Sequence, residues 1–386
     1  MTEPAAPAAP GPPSLGALAR YFVRLGTIGF GGPIALVGAM QRDLVEKRRW
    51  FSREDYLEGL ALAQLAPGPL AAQLAIYLGW LPYRVVGATV VAAAFILPSF
   101  VMVLALSAAY VGARGLAWMP GVFYGIGAAV IAIIGRSAWK LMRSSLGRDP
   151  LIWAIFAVSA AVTVWTESEI VWIFVACGVV AWAARGRARR VPALAFAPWP
   201  LLVTGLGAAA SGDLLWRIFV YFAAAGAFVF GSGLAIIPFL HGGVVNDLHW
   251  LTERQFLDAV AVAMITPGPV VITVAFIGYL VAGPLGATAA AFGVFLPCYL
   301  FVVIPATYFR RAVADPGVKA FVGGVTAAAT GAIAGAAVVL GRRAIVDVPS
   351  AAVALATLGV LVYAKRVPEP LVIVAAGAVG LLLHGW

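Results

Sequence analysis

The sequence predicts an all-α polytopic membrane protein of two homologous, inverted-topology halves with discontinuous or re-entrant helices, and three observations predict it. Of 386 residues, 63% are hydrophobic and only 11% charged, whereas a soluble domain carries about 25% charged residues. Residues 21–69 align without a gap with residues 221–269, a constant offset of 200, which marks an internal duplication. In both copies, Gly and Pro clusters interrupt apolar runs, so backbone must unwind at membrane depth, where it is tolerated only inside protein or beside a watery cavity.

Residues 1–13 are a Pro/Ala stretch holding Glu3 and no basic residue, which reads as a disordered tail rather than a signal peptide. The first repeat then covers 14–184. Its identities with the second include Tyr21/Tyr221, Phe22/Phe222, Gly26/Gly226, Trp50/Trp250 and Pro67-Gly68-Pro69 against Pro267-Gly268-Pro269. After one deletion the offset becomes 199, giving Gly79/Gly278 and Leu97-Pro98/Leu296-Pro297. The first break in each half lies at Gly29-Phe30-Gly31-Gly32-Pro33 and at Phe230-Gly231-Ser232-Gly233.

Ser52 with Asp55, and Thr252 with Gln255, have capping-box spacing, Asp being the shorter variant, so a helix starts at each. Both helices meet Pro-Gly-Pro. Proline removes an amide donor and clashes with the preceding turn, so two half-helices joined by an unwound break are expected there. Plainer helices follow at about 83–111, 116–142, 150–166 and 168–184, with counterparts at 284–309, 317–341, 345–363 and 368–385. Residues 185–212 form a basic linker with a candidate linker helix at 197–212, and the second repeat covers 213–386.

Charge orients the halves. The segment Gln41 to Asp55 holds Arg42, Lys47, Arg48, Arg49 and Arg53, whereas His241 to Gln255 holds only Arg254, so the first reads as a cytoplasmic loop and the second as external. That parity works if the Pro-Gly-Pro segments are re-entrant. The net charge of +10 is scattered over short clusters with no basic, aromatic-interleaved face, which excludes nucleic-acid binding. Cys177 and Cys298 are isolated in apolar runs, and the three histidines lack ligand spacing, so neither a disulfide framework nor a metal site is indicated, and no cofactor is expected.

The combination of Phe30-Gly31-Gly32-Pro33, Trp50, Pro67-Gly68-Pro69, Gly79 and Leu97-Pro98, followed by its weaker second copy, resembles the chromate ion transporter family in its long, two-domain form. The resemblance covers nearly the whole chain. It implies a multi-pass plasma-membrane protein with homologous halves in opposite orientation, exporting chromate and conferring resistance to it. The second copy departs from the pattern at Ser232-Gly233, which puts equivalence of the two halves in question.

In inverted-repeat transporters, half-helix N-termini point at anionic substrates near the bilayer midplane. Unpaired amides and the positive dipole end make such a terminus an anion site without a charged side chain. The candidate substrate-binding residues are therefore Gly31, Gly32, Gly68, Gly231, Gly233 and Gly268, with Gln64, Gln73, Thr266 and Thr273 as flanking donors. Pro33, Pro67, Pro69, Pro267 and Pro269 break the helices. The alternative is that the glycines serve helix packing and the threonines bond their own helix carbonyls. Arg20 and Arg24, four apart, either attract the anion or snorkel, and Arg136 and Lys140 read as snorkelling. Glu58 and Asp258 are a matched carboxylate pair, suited to proton coupling or to the helix dipole near the interface.

The expected partners are chromate or a sulfate-like oxyanion and the lipid bilayer, with a homodimer left open. Membrane potential suffices to drive export of a dianion. A sulfate or other oxyanion transporter or exchanger of the same architecture is the nearest alternative. A membrane enzyme would need catalytic groups that the sequence does not cluster, and a scaffold would leave the duplicated breaks without a purpose.

Overall fold

A computed structural model describes residues 13–29, 32–112, 119–166, 171–185, 214–228, 236–307, 316–364 and 367–384. Every regular element among them is helical. The first repeat contributes α1 (Leu15–Ile28), α2 (Gly32–Met40), α3 (Arg53–Leu65), α4 (Leu70–Gly112), α5 (Met119–Ser145), α6 (Pro150–Thr166) and α7 (Val171–Arg185). The second contributes α8 (Leu214–Phe228), α9 (Ile236–His241), α10 (Glu253–Ile265), α11 (Thr273–Val303), α12 (Pro316–Ala344), α13 (Val348–Tyr363) and α14 (Glu369–His384). The N-terminal tail, the linker helix at 197–212 and the first break of the second repeat fall outside the described residues.

The residues that repeat in sequence repeat in role. Trp50 closes a turn by donating its amide to the Leu44 carbonyl at 2.8 Å, and Trp250 does the same to Val244 at 2.9 Å. Trp50 packs edge-on to Tyr21 and Trp250 to Tyr221, with centroids 6.5 and 5.7 Å apart. The segment read as a loop after Gln41 is a correction: α2 runs on through a π-helical turn, Gln41–Lys47, with Lys47 bonded to Asp43 at 3.2 Å, and Gly242–Asp247 is its counterpart. Continuous backbone pairing through both stretches makes them helix ends, which loop composition alone does not distinguish.

Both capped starts form. The Thr252 hydroxyl accepts the Gln255 amide, and the Gln255 side chain accepts the Thr252 amide at 2.9 Å. Ser52 accepts the Asp55 amide at 3.0 Å, while the shorter Asp55 carboxylate takes the Ser52 hydroxyl at 2.7 Å. One methylene decides the difference.

α4 has 43 residues and would measure about 65 Å if straight, twice the ~30 Å hydrocarbon core. It folds back at Arg84, whose φ is 52°. A Cβ built on Gly79 would lie 2.5 Å from the Gly87 carbonyl oxygen, although eight residues of continuous helix span about 12 Å. α11 reverses likewise at Ala282 and Gly283, bringing Gly278 against Gly286. A second reversal lies at Pro67-Gly68-Pro69, because Gly59 on α3 sits against the Tyr77 ring on α4. Thus α3 and residues 70–83 form a helical hairpin with the Pro-Gly-Pro turn at its tip.

The repeats interlock. α5 of the first repeat packs against α13 and α14 of the second, and α12 of the second against α6 and α7 of the first. Small residues permit these approaches, with Gly125 against the Ala376 backbone and Gly331 against that of Phe156, as expected where packing rather than water exclusion joins helices. Polar contacts join the exchanged elements: Arg136, expected to snorkel, lies 3.6 Å from Glu369, and Tyr124 bonds Asp347.

Candidate functional site

Gly68, Pro69 and all of Pro267-Gly268-Pro269 are buried, with Pro67 half-buried, and each turn rests on the other repeat. Gly268 donates its amide to the Gly29 carbonyl at 2.9 Å, and a Cβ there would collide with the Ser99 hydroxyl and lie 3.4 Å from the Gly26 carbonyl oxygen. Gly68 has the complementary neighbours. A Cβ on it would strike the Gln73 amide and lie 3.1 Å from the Cys298 Sγ. Their φ values, 141° for Gly68 and 98° for Gly268, are ones that L side chains rarely adopt.

Ser99 and Cys298 perform one task in the two halves. Ser99 Oγ donates to the Gly26 carbonyl at 3.3 Å, and Cys298 Sγ reaches Gly226 at 3.5 Å and Val294 at 3.1 Å. Gly26 and Gly226 allow this because α1 meets the backbone of Phe95 on α4 and α8 that of Val294 on α11. The first helix of each repeat is thereby held beside the opposite repeat's turn.

Beyond each turn a helix begins. Gln73 donates its backbone amide to the Pro69 carbonyl at 3.0 Å as α4 starts, and Ile272 its own to Pro269 at 3.0 Å in the 3-10 turn Val270–Ile272 that leads into α11. Amides before these positions have no partner within their own helix, by helix geometry. Gln73 is completely buried; its Nε2 donates to the Pro67 carbonyl at 2.5 Å, and its Oε1 has no hydrogen-bond partner among the described residues.

The remaining candidates are distributed unevenly. Gln64 is exposed. Thr266 donates its hydroxyl proton to the Ala263 carbonyl at 3.0 Å and Thr273 to Val270 at 2.7 Å, so in this arrangement both protons serve the local backbone. Gly32 and Pro33 open α2, where proline's missing amide costs nothing, whereas Gly31, Gly231 and Gly233 fall outside the described residues. Arg20 and Arg24 are exposed on α1. Glu58 is half-buried, but its counterpart Asp258 is 3% exposed and accepts the Tyr110 hydroxyl at 2.7 Å.

Ser99, Cys298 and Tyr110 escaped the sequence reading. The first two had a signal, since each directly follows a matched Leu-Pro pair at the offset of 199. Tyr110 had none: its partner lies 148 residues away.

Residues 16–182 and 216–381 each match the family model described as Chromate transporter. The chain is 59% identical over 372 residues to the "Chromate transport protein" of Cupriavidus metallidurans, covering 95% of this chain and 92% of the relative. It is 30% identical over 407 residues to the "Chromate transport protein" of Pseudomonas aeruginosa, covering 99% and 95%. No solved structure matches the chain.

Proposed function

The chain belongs to the chromate transporter family, and from that premise we propose that it exports chromate from the cytoplasm across the plasma membrane, driven by the membrane potential. The observation that carries the reading is the exchange of the two Pro-Gly-Pro turns, each buried at its glycine and seated on the opposite repeat. In this reading α3 and α10 enter from opposite leaflets as arms of re-entrant hairpins. The amides that open residues 70–83 and the Val270–Ile272 turn hold the anion's oxygens.

Each helix terminus contributes about 0.3–1 kcal/mol, up to about 2 when partly buried. One terminus cannot offset the desolvation of a dianion, so both turns act on one substrate. Four small or apolar walls, Gly26, Gly226, Ser99 and Cys298, keep α1 and α8 close to the turns. Moving one charge through 100 mV is worth about 2.3 kcal/mol, so a dianion leaving an inside-negative cell gains about 4.6 kcal/mol.

The test is chromate uptake by inside-out vesicles containing the protein. Uptake is expected to rise with an imposed inside-positive potential and fall when an ionophore collapses it. Flux indifferent to the potential overturns the proposed driving force, and no flux overturns the transport reading itself.

A further inference from the structure

Arg24 lies too deep on α1 to reach the membrane surface. From its reversal at Arg84 to Gly112, α4 holds no charged residue and runs for about 42 Å, so it spans the ~30 Å hydrocarbon core with Pro98 and Ser99 at mid-depth. α1 runs beside it in the same direction: the Tyr83 hydroxyl donates to the Pro13 carbonyl at 2.9 Å, and the Ser99 hydroxyl to that of Gly26 at 3.3 Å. Gly26 therefore shares the depth of Ser99, and Arg24 precedes it by about 3 Å along the axis. An arginine side chain extends about 7 Å, toward the N-terminal end of its helix. The Arg24 guanidinium stops about 5 Å short of the headgroups, whereas that of Arg20, one turn earlier, reaches them.

Arg24 is nonetheless exposed and has no ion pair among the described residues. A lone cation facing hydrocarbon is expensive, and charged residues at this depth face a bundle interior or a water-filled cavity. Thr27 and Ile28 continue the same exposed face. The second repeat does not share it, because there the matching Val220 and Ala224 are half-buried and Ala227 is buried. One flank is open where its counterpart is packed.

We infer that the face of α1 carrying Arg24 and Thr27 lines a water-filled path from the cytoplasm to the Pro-Gly-Pro turns, and that Arg24 binds the doubly charged oxyanion on it. The inference rests on the oxyanion reading above. Arg48, in the basic segment read as cytoplasmic, lies over the Tyr21 ring at 5.3 Å from its centroid, which places the start of α1 on that side. Gly29, five residues beyond Arg24, accepts the Gly268 amide at 2.9 Å, so the helix presenting the guanidinium ends at the second turn. A guanidinium offers paired donors to the oxygens of an oxyanion and adds the whole charge that helix termini lack. Val23 and Ile28, 45% and 57% exposed, border it, and one cation on an apolar wall holds a passing anion without trapping it.

The test uses the full-length protein in inside-out vesicles. A membrane-impermeant sulfonated maleimide is expected to label Arg24→Cys and Thr27→Cys at least about tenfold faster than Val101→Cys, because thiolates form only in water. Val101 is 59% exposed at similar depth on α4, and the wild type, with Cys298 buried and Cys177 half-buried, sets the background. In chromate uptake at a clamped potential, Arg24→Gln is expected to raise KM roughly tenfold or more with the maximal rate changed less. Arg24→Lys should restore part of that affinity, and Arg20→Gln should change KM by less than about twofold.

Labelling at positions 24 and 27 no faster than at 101 means that lipid or a second copy covers this face, and overturns the path. An unchanged KM in Arg24→Gln overturns the binding role. Thr27→Cys keeps the arginine and decides the path even where Arg24→Cys does not fold, and Arg24→Gln removes a charge whose loss favours insertion. Absence of chromate uptake by the wild type overturns the transport reading itself, an outcome separate from the labelling.

Discussion

Gly268 of the second repeat donates its backbone amide to the carbonyl of Gly29 in the first, at 2.9 Å. That bond fixes a turn of one half to the unwound end of the first helix of the other. It also means that the Gly268 amide is already engaged, so in the proposed reading an anion at this turn would meet the amides that follow it.

Replacing Gly268 with Ala is expected to destabilise the protein, because φ is 98° and the new methyl meets the Ser99 hydroxyl. A left-handed conformation costs a non-glycine residue about 1–2 kcal/mol. Adding Ser99→Ala should relieve the collision but not the backbone cost, so the thermal midpoint of the double variant in detergent should recover only in part. Full recovery would show that φ at this turn is unimportant.

The larger variants Gly68→Leu and Gly268→Leu are expected to abolish chromate export while the protein still inserts. Cells expressing them should accumulate chromate and lose resistance at wild-type protein levels in the membrane fraction. Normal resistance in both would place the anion path elsewhere.

Tyr110→Phe should weaken the fold by about 1–3 kcal/mol, because it leaves the buried Asp258 carboxyl without the hydroxyl that bonds it at 2.7 Å. Asp258→Asn should cost less in the Tyr110→Phe background than in the wild type. Additive losses in chemical denaturation would mean that the contact contributes nothing of its own.

The interlocked helices give a prediction about the halves. Cutting the chain between residues 186 and 213 should leave neither fragment stable alone, because α12 lacks α6 and α7 as neighbours in one fragment and α5 lacks α13 and α14 in the other. Co-expression should restore a copurifying pair. A first fragment that accumulates to normal levels by itself would contradict the exchange.

Duplication, membrane class and the Pro-Gly-Pro breaks were legible in the sequence, because apolar composition, the offset of 200 and the chemistry of proline are local properties, whereas the reversals at Arg84 and at Ala282-Gly283 came only with the structure. The helices expected near 150–166 and 345–363 are α6 and α13, Pro150–Thr166 and Val348–Tyr363. Family membership was legible for the same reason. Distance along the chain hid the rest. Which half each turn touches, that Gln73 is buried while Gln64 is exposed, and that Asp258 meets Tyr110 while Glu58 is only half-buried depend on contacts across about 70 to 240 residues. Two halves with nearly the same local preferences can pack within themselves or across each other with the same hydrophobic pattern. The fit of Gly26, Gly226, Ser99 and Cys298 around the opposite turns belongs to the crossed arrangement, and that fit is a property of three-dimensional packing that periodicity does not encode.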